Sequence, residues 1–392
     1  MERNIYMDNS ATTPVKEEVL REMMPYFTTK YGNPSSIYSL GRQSKNAIEV
    51  SREKIARAIN AKTNEIFFTA GGSEADNWAL KGIAFANKSK GNHIITSKIE
   101  HHGILHTCEY LEKQGFEITY LDVDEYGTID LKQLEESINS NTILISIMFA
   151  NNEIGTIQPI KEIGRIAKEN GVYFHTDAVQ AVGHVRIDVN EMNIDLLSLS
   201  AHKFYGPKGV GALYIRQGVK IDPLISGGAQ ERNRRAGTEN VPGIVGMGKA
   251  IELAYENLDE NNAKLTRLRD SMIKKVFDKI DYVRLNGHPT NRLPGNVNLC
   301  FEFIEGESLL LSLDMAGIAG SSGSACTSGT LDPSHVLLAI GLPHEIAHGS
   351  LRLSLGDFNT EEEVDYTVEK LEEIVARLRS MSPLYENIKE VK

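Results

Sequence analysis

Residues 195–211 read DLLSLSAHKFYGPKGVG, from Asp195 to Gly211. The run Asp195 to Ser200 suits a buried strand, and Gly206-Pro207 and Gly209 break the chain soon after it. Lys203 therefore falls just past a strand end, between His202 and the aromatic pair Phe204-Tyr205. A lysine held in a tight, partly apolar corner can lose its proton near neutral pH and act as a nucleophile. One chemistry that needs such a lysine is a Schiff base to pyridoxal 5'-phosphate (PLP), which works with an acidic partner for the pyridinium nitrogen. The other reading is a lysine in a solvated loop. The surrounding chain has to separate the two.

On the N-terminal side of this stretch, strands and helices alternate. Strands are expected at Ile66–Thr69, His93–Ser97, Glu117–Leu121, Thr142–Phe149 and Val172–Thr176, ahead of the one that ends at Ser200. Helical spacing fills the gaps, as in Ile104–Gln114, Leu131–Ser137 and Ile160–Glu169. This rhythm predicts βαβ units and a mostly parallel sheet with helices on both faces. No GxGxxG follows the first strand, so a dinucleotide fold is not indicated. Beyond Leu253 the character changes. A charged helical region, one helix or two joined, spans Glu252–Ile280. Strands come next at Val283–Asn286, Asn296–Phe303 and Leu351–Leu355, and a charged helix closes at Glu361–Met381. This reads as a second, smaller α+β domain.

Bulk composition narrows the class. Hydrophobic residues make up 41% and charged residues 24%, as in soluble globular proteins. A formal net charge of -11 argues against a nucleic-acid surface. No apolar run approaches the ~20 residues of a membrane helix. The start, MERNIYMDNS, lacks the pattern of a signal peptide, so a cytoplasmic location is expected. Cys108, Cys300 and Cys326 show neither metal-ligand spacing nor an even disulfide framework, consistent with reduced thiols.

Several residues could carry chemistry beside Lys203. Gly71-Gly72-Ser73 opens a helix after a strand, where free N–H groups suit a phosphate; an ordinary cap is the alternative. His101 comes after a strand end and could stack on a flat ring, or be a loop histidine. Asn152, in NNEIG, could bond a ring hydroxyl and a carboxylate, or belong to a turn. Asp177 ends a strand and could keep a pyridine nitrogen protonated, or cap a helix; Gln180 lies three residues on, within reach of a neighbouring ring oxygen. Ser200 and His202, just before Lys203, could bind phosphate. Thr238 is another small hydroxyl, near the basic pair Arg234-Arg235. Arg352, a strand arginine, needs a partner, either a bound carboxylate or a structural ion pair. Cys326 lies in GSSGSACTSGT, a loop poor in packing residues, where an accessible thiol would sit or where a thiol is incidental. Cys300 and Cys108 read as buried and inert.

The segments DNSATTP, YGNPSS, TAGGSEADN, EHH, NNEIG, HTDAVQ, SLSAHKFYGPKG, GGAQERNRRAGTENV, SSGSACTSG and LRLSLG occur in this order. In that order the chain resembles the cysteine desulfurases of the NifS/IscS type, from Asp8 to about Pro383. The short SSGSACTSG loop resembles the group containing NifS and IscS, and RRAGTENVPGI is closer to NifS-like members. The resemblance implies PLP-dependent fold type I, aspartate aminotransferase-like, with a mostly parallel seven-stranded sheet. It implies a large PLP-binding domain over 14–257 and a small one from 1–13 and 258–392, in a homodimer. Lys203 would carry PLP, His101 would stack on its ring, Asp177 would hold the ring nitrogen and Gln180 the ring oxygen. Gly72, Ser73, Ser200 and His202 would bind phosphate, with Thr238 reaching across from the partner subunit. Asn152 and Arg352 would hold the carboxylate of L-cysteine. Cys326 would accept sulfur as a persulfide while alanine leaves as product, and would pass the sulfur to an acceptor such as an iron–sulfur scaffold. An iron–sulfur cluster at Cys326 would be expected only in complex with that scaffold. No resident metal, nucleic acid or membrane partner is implied. Many relatives have histidine where this chain has Tyr38, and the tail past Pro383 is short for a docking extension. Another enzyme of the superfamily (an aminotransferase or selenocysteine lyase) and a non-catalytic scaffold are the competing readings. The Cys326 loop argues against an aminotransferase, because transamination needs no thiol, and Lys203 with Cys326 argues against the scaffold.

Overall fold

A computed structural model of the chain describes residues 4–322 and 333–389. A short strand, β1 (Ile5–Tyr6), precedes seven strands: β2 (Ile66–Thr69), β3 (His93–Ser97), β4 (Glu117–Leu121), β5 (Thr142–Ser146), β6 (Tyr173–Asp177), β7 (Leu196–Ser200) and β8 (Gly211–Ile215). They form one sheet in the order β2-β8-β7-β6-β5-β3-β4. All neighbours are parallel except at β8, which runs antiparallel to both β2 and β7. Strands β2, β3, β5, β7 and β8 are buried along their whole length, because helices cover both faces. Such strands read as unbroken apolar runs rather than alternating ones.

The reversal into β8 has no counterpart in the sequence reading, and it explains the punctuation after Lys203. The chain makes a single 3-10 turn at Ala201–Lys203, and Tyr205 adopts φ 65. A side chain at Gly206 would approach the Ala201 carbonyl oxygen at 2.9 Å, so glycine is needed there. The turn returns the chain along β7 as a hairpin-like pair.

The second region carries β9 (Val283–Leu285), β10 (Asn296–Phe301), β11 (Ile318–Ala319) and β12 (Ser350–Ser354). Its sheet runs β12-β10-β9, all antiparallel, while β1 pairs parallel with β11. The predicted Glu252–Ile280 region resolves into two helices, Val241–Glu256 and Leu258–Lys279. The first packs beside the large sheet. The second joins the core of the smaller region through Leu265, Leu268 and Met272. Ile5 and Met7 also belong to that smaller core, so the N-terminal strand sits with the C-terminal half of the chain. Among the described residues no helix is long and apolar enough to cross a membrane.

Candidate active site

The site forms where the parallel strands end. The carboxyl ends of β2, β3, β5, β6 and β7 lead into Gly72, His101, Asn152, Asp177 and Lys203 respectively. Open α/β sheets place ligands in this crevice. A pocket of about 510 Å³ is lined by Gly72, Ser73, His101, Asn152, Asp177 and Gln180 from these ends, together with Ser200, His202, Lys203 and Arg352. That volume lies within the range of small-molecule sites. A cavity of about 600 Å³ beside Lys54, Arg186 and Tyr255 contains none of the residues singled out above.

The N-terminal segment builds one wall. Thr13 donates through both its backbone N–H and its hydroxyl to the His202 carbonyl, each at 3.0 Å. Tyr205 donates its N–H to Thr13 Oγ1 at 2.8 Å. This strap brings the Ser10 and Ala11 carbonyls onto Lys203 Nζ at 2.5 and 2.8 Å. Gln180 Nε2 donates to the same Ser10 carbonyl at 2.9 Å. Gln180 sits in a series of turns after β6, so the alternative of a helix capped by Asp177 does not apply. It reaches the pocket because Asp177 Oδ1 accepts the Val179 N–H at 2.9 Å and curls the chain back.

The electrostatics divide by residue type. Burial pushes the Asp177 carboxyl up, and the facing His101 and Lys203 pull it part of the way back. Burial lowers His101, aided by Lys203 and opposed by Asp177. Its Nδ1 accepts the Gly103 N–H at 3.0 Å, which places the ring proton on Nε2. His202 is pushed down to about 4 by burial and by Lys203 and Lys208, so its ring is neutral at pH 7.

At the other end, Arg352 is 3% exposed. Nη2 donates to Asp8 Oδ1 at 2.9 Å and Nη1 to the Asn152 carbonyl at 3.1 Å. The partner expected from sequence is thus Asp8 in this structure, yet Arg352 Nε is buried with no hydrogen-bond partner among the described residues. Asp76, which also lines the pocket, has a buried Oδ1 with no hydrogen-bond partner among the described residues, 3.8 Å from His175 Nε2. Unsatisfied buried polar atoms are costly, and here they face a cavity.

Thr238 does not join these residues. It is exposed in this chain and lines no part of the pocket. Arg235 is not a free basic spot, because it forms a two-pronged pair with Glu74 at 2.8 and 3.0 Å. Cys326 lies outside the described residues. Ser321, which lines the pocket, is bridged through its backbone to Arg352. Cys108 and Cys300 are buried, and burial raises both thiols, Cys300 to about 11. Sequence reasoning missed Asp8, Ser10, Asp76 and Lys208. Asp8 and Ser10 lie inside DNSATTP, Asp76 inside TAGGSEADN and Lys208 inside SLSAHKFYGPKG, so the signal was present as motif membership but not as chemistry.

A lysine, a buried strand-end carboxylate, hydroxyls at a helix N-terminus and a buried arginine fit a phosphorylated pyridine aldehyde with an amino-acid substrate. Residues 5–367 match the family described as Aminotransferase class-V. Cysteine desulfurase IscS of Methanosarcina thermophila is 66% identical over 380 residues, 97% of this chain and 94% of that protein. A solved NifS-like protein superposes with a TM-score of 0.91 at 41% identity, over 96% of this chain and 100% of that one. The structure of SspA in complex with cysteine gives 0.81 at 41% identity, over 91% and 100%. The chain belongs to the class-V aminotransferases, among the NifS/IscS-type cysteine desulfurases.

Proposed function

We propose that the protein converts L-cysteine to L-alanine with PLP as cofactor, passing the sulfur through Cys326 to an acceptor protein for iron–sulfur or other sulfur-cofactor assembly. The observation that carries this reading is the convergence of Lys203, Asp177, His101 and Arg352 on one pocket. Its cofactor half rests on chemistry: bound there, PLP supplies an electron sink that makes the substrate Cα–H acidic and weakens the Cβ–S bond.

The chain's own groups divide the remaining tasks. Lys203 Nζ anchors the cofactor and then moves the Cα proton. Asp177 holds the proton on the ring nitrogen. His101, neutral and oriented by Gly103, packs on the ring with its Nε2–H free to serve the site. Gly72, Ser73, Ser200 and His202 hold the phosphate, with Thr238 contributed by the partner subunit of a homodimer. Arg352 and Asn152 hold the substrate carboxylate. The Cys326 thiolate attacks the substrate sulfur: a new S–S bond forms, the Cβ–S bond breaks with its electron pair kept on Cβ, and alanine leaves after protonation. The persulfide then goes to an acceptor such as an iron–sulfur scaffold, where a cluster at Cys326 would arise only in that complex. We place the enzyme in the cytoplasm. Two separate cores support a division into a large domain over 14–257 and a small one from 1–13 and 258–392.

The test is the visible spectrum of the purified protein with and without L-cysteine, with alanine measured. The reading expects a visible absorption band from a PLP–lysine linkage that changes with L-cysteine and is lost in Lys203→Ala. It also expects Cys326→Ser to abolish persulfide formation. No band after adding PLP, or equal sulfur release by Cys326→Ser, overturns it.

A further inference from the structure

A phosphate monoester carries roughly -1.5 to -2 charges at pH 7. The residues assigned above to the phosphate end bring little formal charge to meet it. Gly72, Ser73 and Ser200 are neutral. His202 is neutral as well, since burial and two nearby lysines hold it at about 4. The N-terminus of the helix Gly72–Ala86 offers the equivalent of about half a positive charge. Lys203 is directed elsewhere, onto the Ser10 and Ala11 carbonyls, and is committed to the chemistry. Arg235 is paired with Glu74, an acid that lines this end.

One further cation lines the same end. A lobe of about 500 Å³ is lined by Gly72, Ser73, Ser200 and His202, together with Thr12, Lys208 and Glu74, whose carboxylate is paired with Arg235. Lys208 is exposed and makes no ion pair or hydrogen bond among the described residues. It lines the same lobe as His202, and its charge helps to lower that ring. The backbone holds it there: Gly206-Pro207 turns the chain after Lys203, and Gly209, at φ 77, turns it again into β8.

We propose that Lys208 is the cation for the cofactor phosphate, a positioning residue that docks over the lobe formed by Gly72, Ser73, Ser200 and His202. This rests on the PLP reading. The hairpin between β7 and β8 would then present one lysine to the aldehyde and another, five residues on, to the phosphate.

The test compares PLP with pyridoxal, which has the same ring and aldehyde but no phosphate. Apo-protein is titrated with each, following absorbance and fluorescence, for wild type, Lys208→Gln and Lys208→Arg. Loss of one charge-assisted contact should weaken PLP binding by about tenfold or more in Lys208→Gln. Pyridoxal binding should not move, and Lys208→Arg should recover most of the PLP affinity. Rising salt should weaken PLP binding to wild type more than to Lys208→Gln. An unchanged PLP-to-pyridoxal ratio in Lys208→Gln, with PLP still tight, overturns the assignment and leaves the cofactor reading standing. Wild type that binds neither compound overturns both. A melting curve on each variant confirms that the exposed substitution leaves the fold intact.

Discussion

Arg352 Nη2 sits 2.9 Å from Asp8 Oδ1, and both side chains line the pocket that contains Lys203. The pair ties β12 to the segment just after β1, so the arginine proposed to bind substrate is held by a residue 344 positions away. Nε stays buried and unpartnered, leaving one edge of the guanidinium for an incoming carboxylate. Arg352→Lys removes the planar fork and should raise KM for L-cysteine by about 10- to 100-fold, with a smaller change in kcat. Asp8→Asn keeps an acceptor for Nη2 and should alter KM by less than the arginine change does. Steady-state kinetics check both. A KM unmoved by Arg352→Lys contradicts the carboxylate role.

Arg52 and Glu231 form a buried two-pronged ion pair at 2.7 and 2.8 Å. Arg52 also donates to the Ile66 carbonyl, and Glu231 accepts the Phe68 N–H, both on β2. Glu231 stands in a left-handed conformation, φ 43, at the head of the segment leading to Thr238. Breaking one side of such a pair strands a buried charge. Glu231→Gln should destabilise the protein by about 3 kcal/mol. Replacing both partners with apolar residues should cost less than either single change. Urea unfolding measures both.

Glu100 accepts hydrogen bonds from Ser97 Oγ at 2.6 Å and Met148 N at 3.0 Å, yet burial pushes it up to about 8. Unfolded, it would titrate near ~4.3. Between these values the folded state binds the extra proton, so this group's contribution is fully present below ~4.3 and is lost as pH rises through about 8. Glu100→Gln keeps the acceptor and cannot ionise. It should become progressively more stable than wild type from pH 5 to pH 8, by up to about 1.4 kcal/mol per pH unit. Parallel stability–pH curves would refute this.

Ser334 donates to Glu153 Oε2 at 2.5 Å and accepts the N–H groups of Val336 and Leu337, capping the helix His335–Ala339. Glu153 is pushed up to about 7, chiefly by burial, with the Ser334 bond opposing the shift. Ser334→Ala removes both functions and should cost about 1–2 kcal/mol. It should also move the Glu153 titration to higher pH, which isotope-edited infrared difference spectra can follow.

Periodicity and punctuation were enough to read the alternating strands and helices, because buried parallel strands are continuous apolar runs and helices repeat at 3.6 residues. The candidate residues were legible for a related reason: an α/β sheet sets its functional side chains at strand ends, so Asp177, Asn152 and Lys203 stood at recognisable boundaries. Antiparallel β8 escaped notice because GVGALYI reads as turn followed by apolar run, and nothing local announces strand direction. The pairing of Ile5–Tyr6 with Ile318–Ala319 escaped for a stronger reason, since contacts across more than 300 residues leave no local period.

The amino-acid sequence by itself determined the fold class, the lysine and the family. Local propensity, turn chemistry and motif order all act over short stretches of chain. Only the tertiary structure decided that Asp8 holds Arg352, that the Ser10 and Ala11 carbonyls hold Lys203, and that Lys208 lines one lobe with Gly72, Ser73, Ser200 and His202. Those relationships arise from how the N-terminal strap packs against β12 and against the β7–β8 reversal. Hydrogen bonds and charges act through space, and chain order does not encode which distant groups will meet.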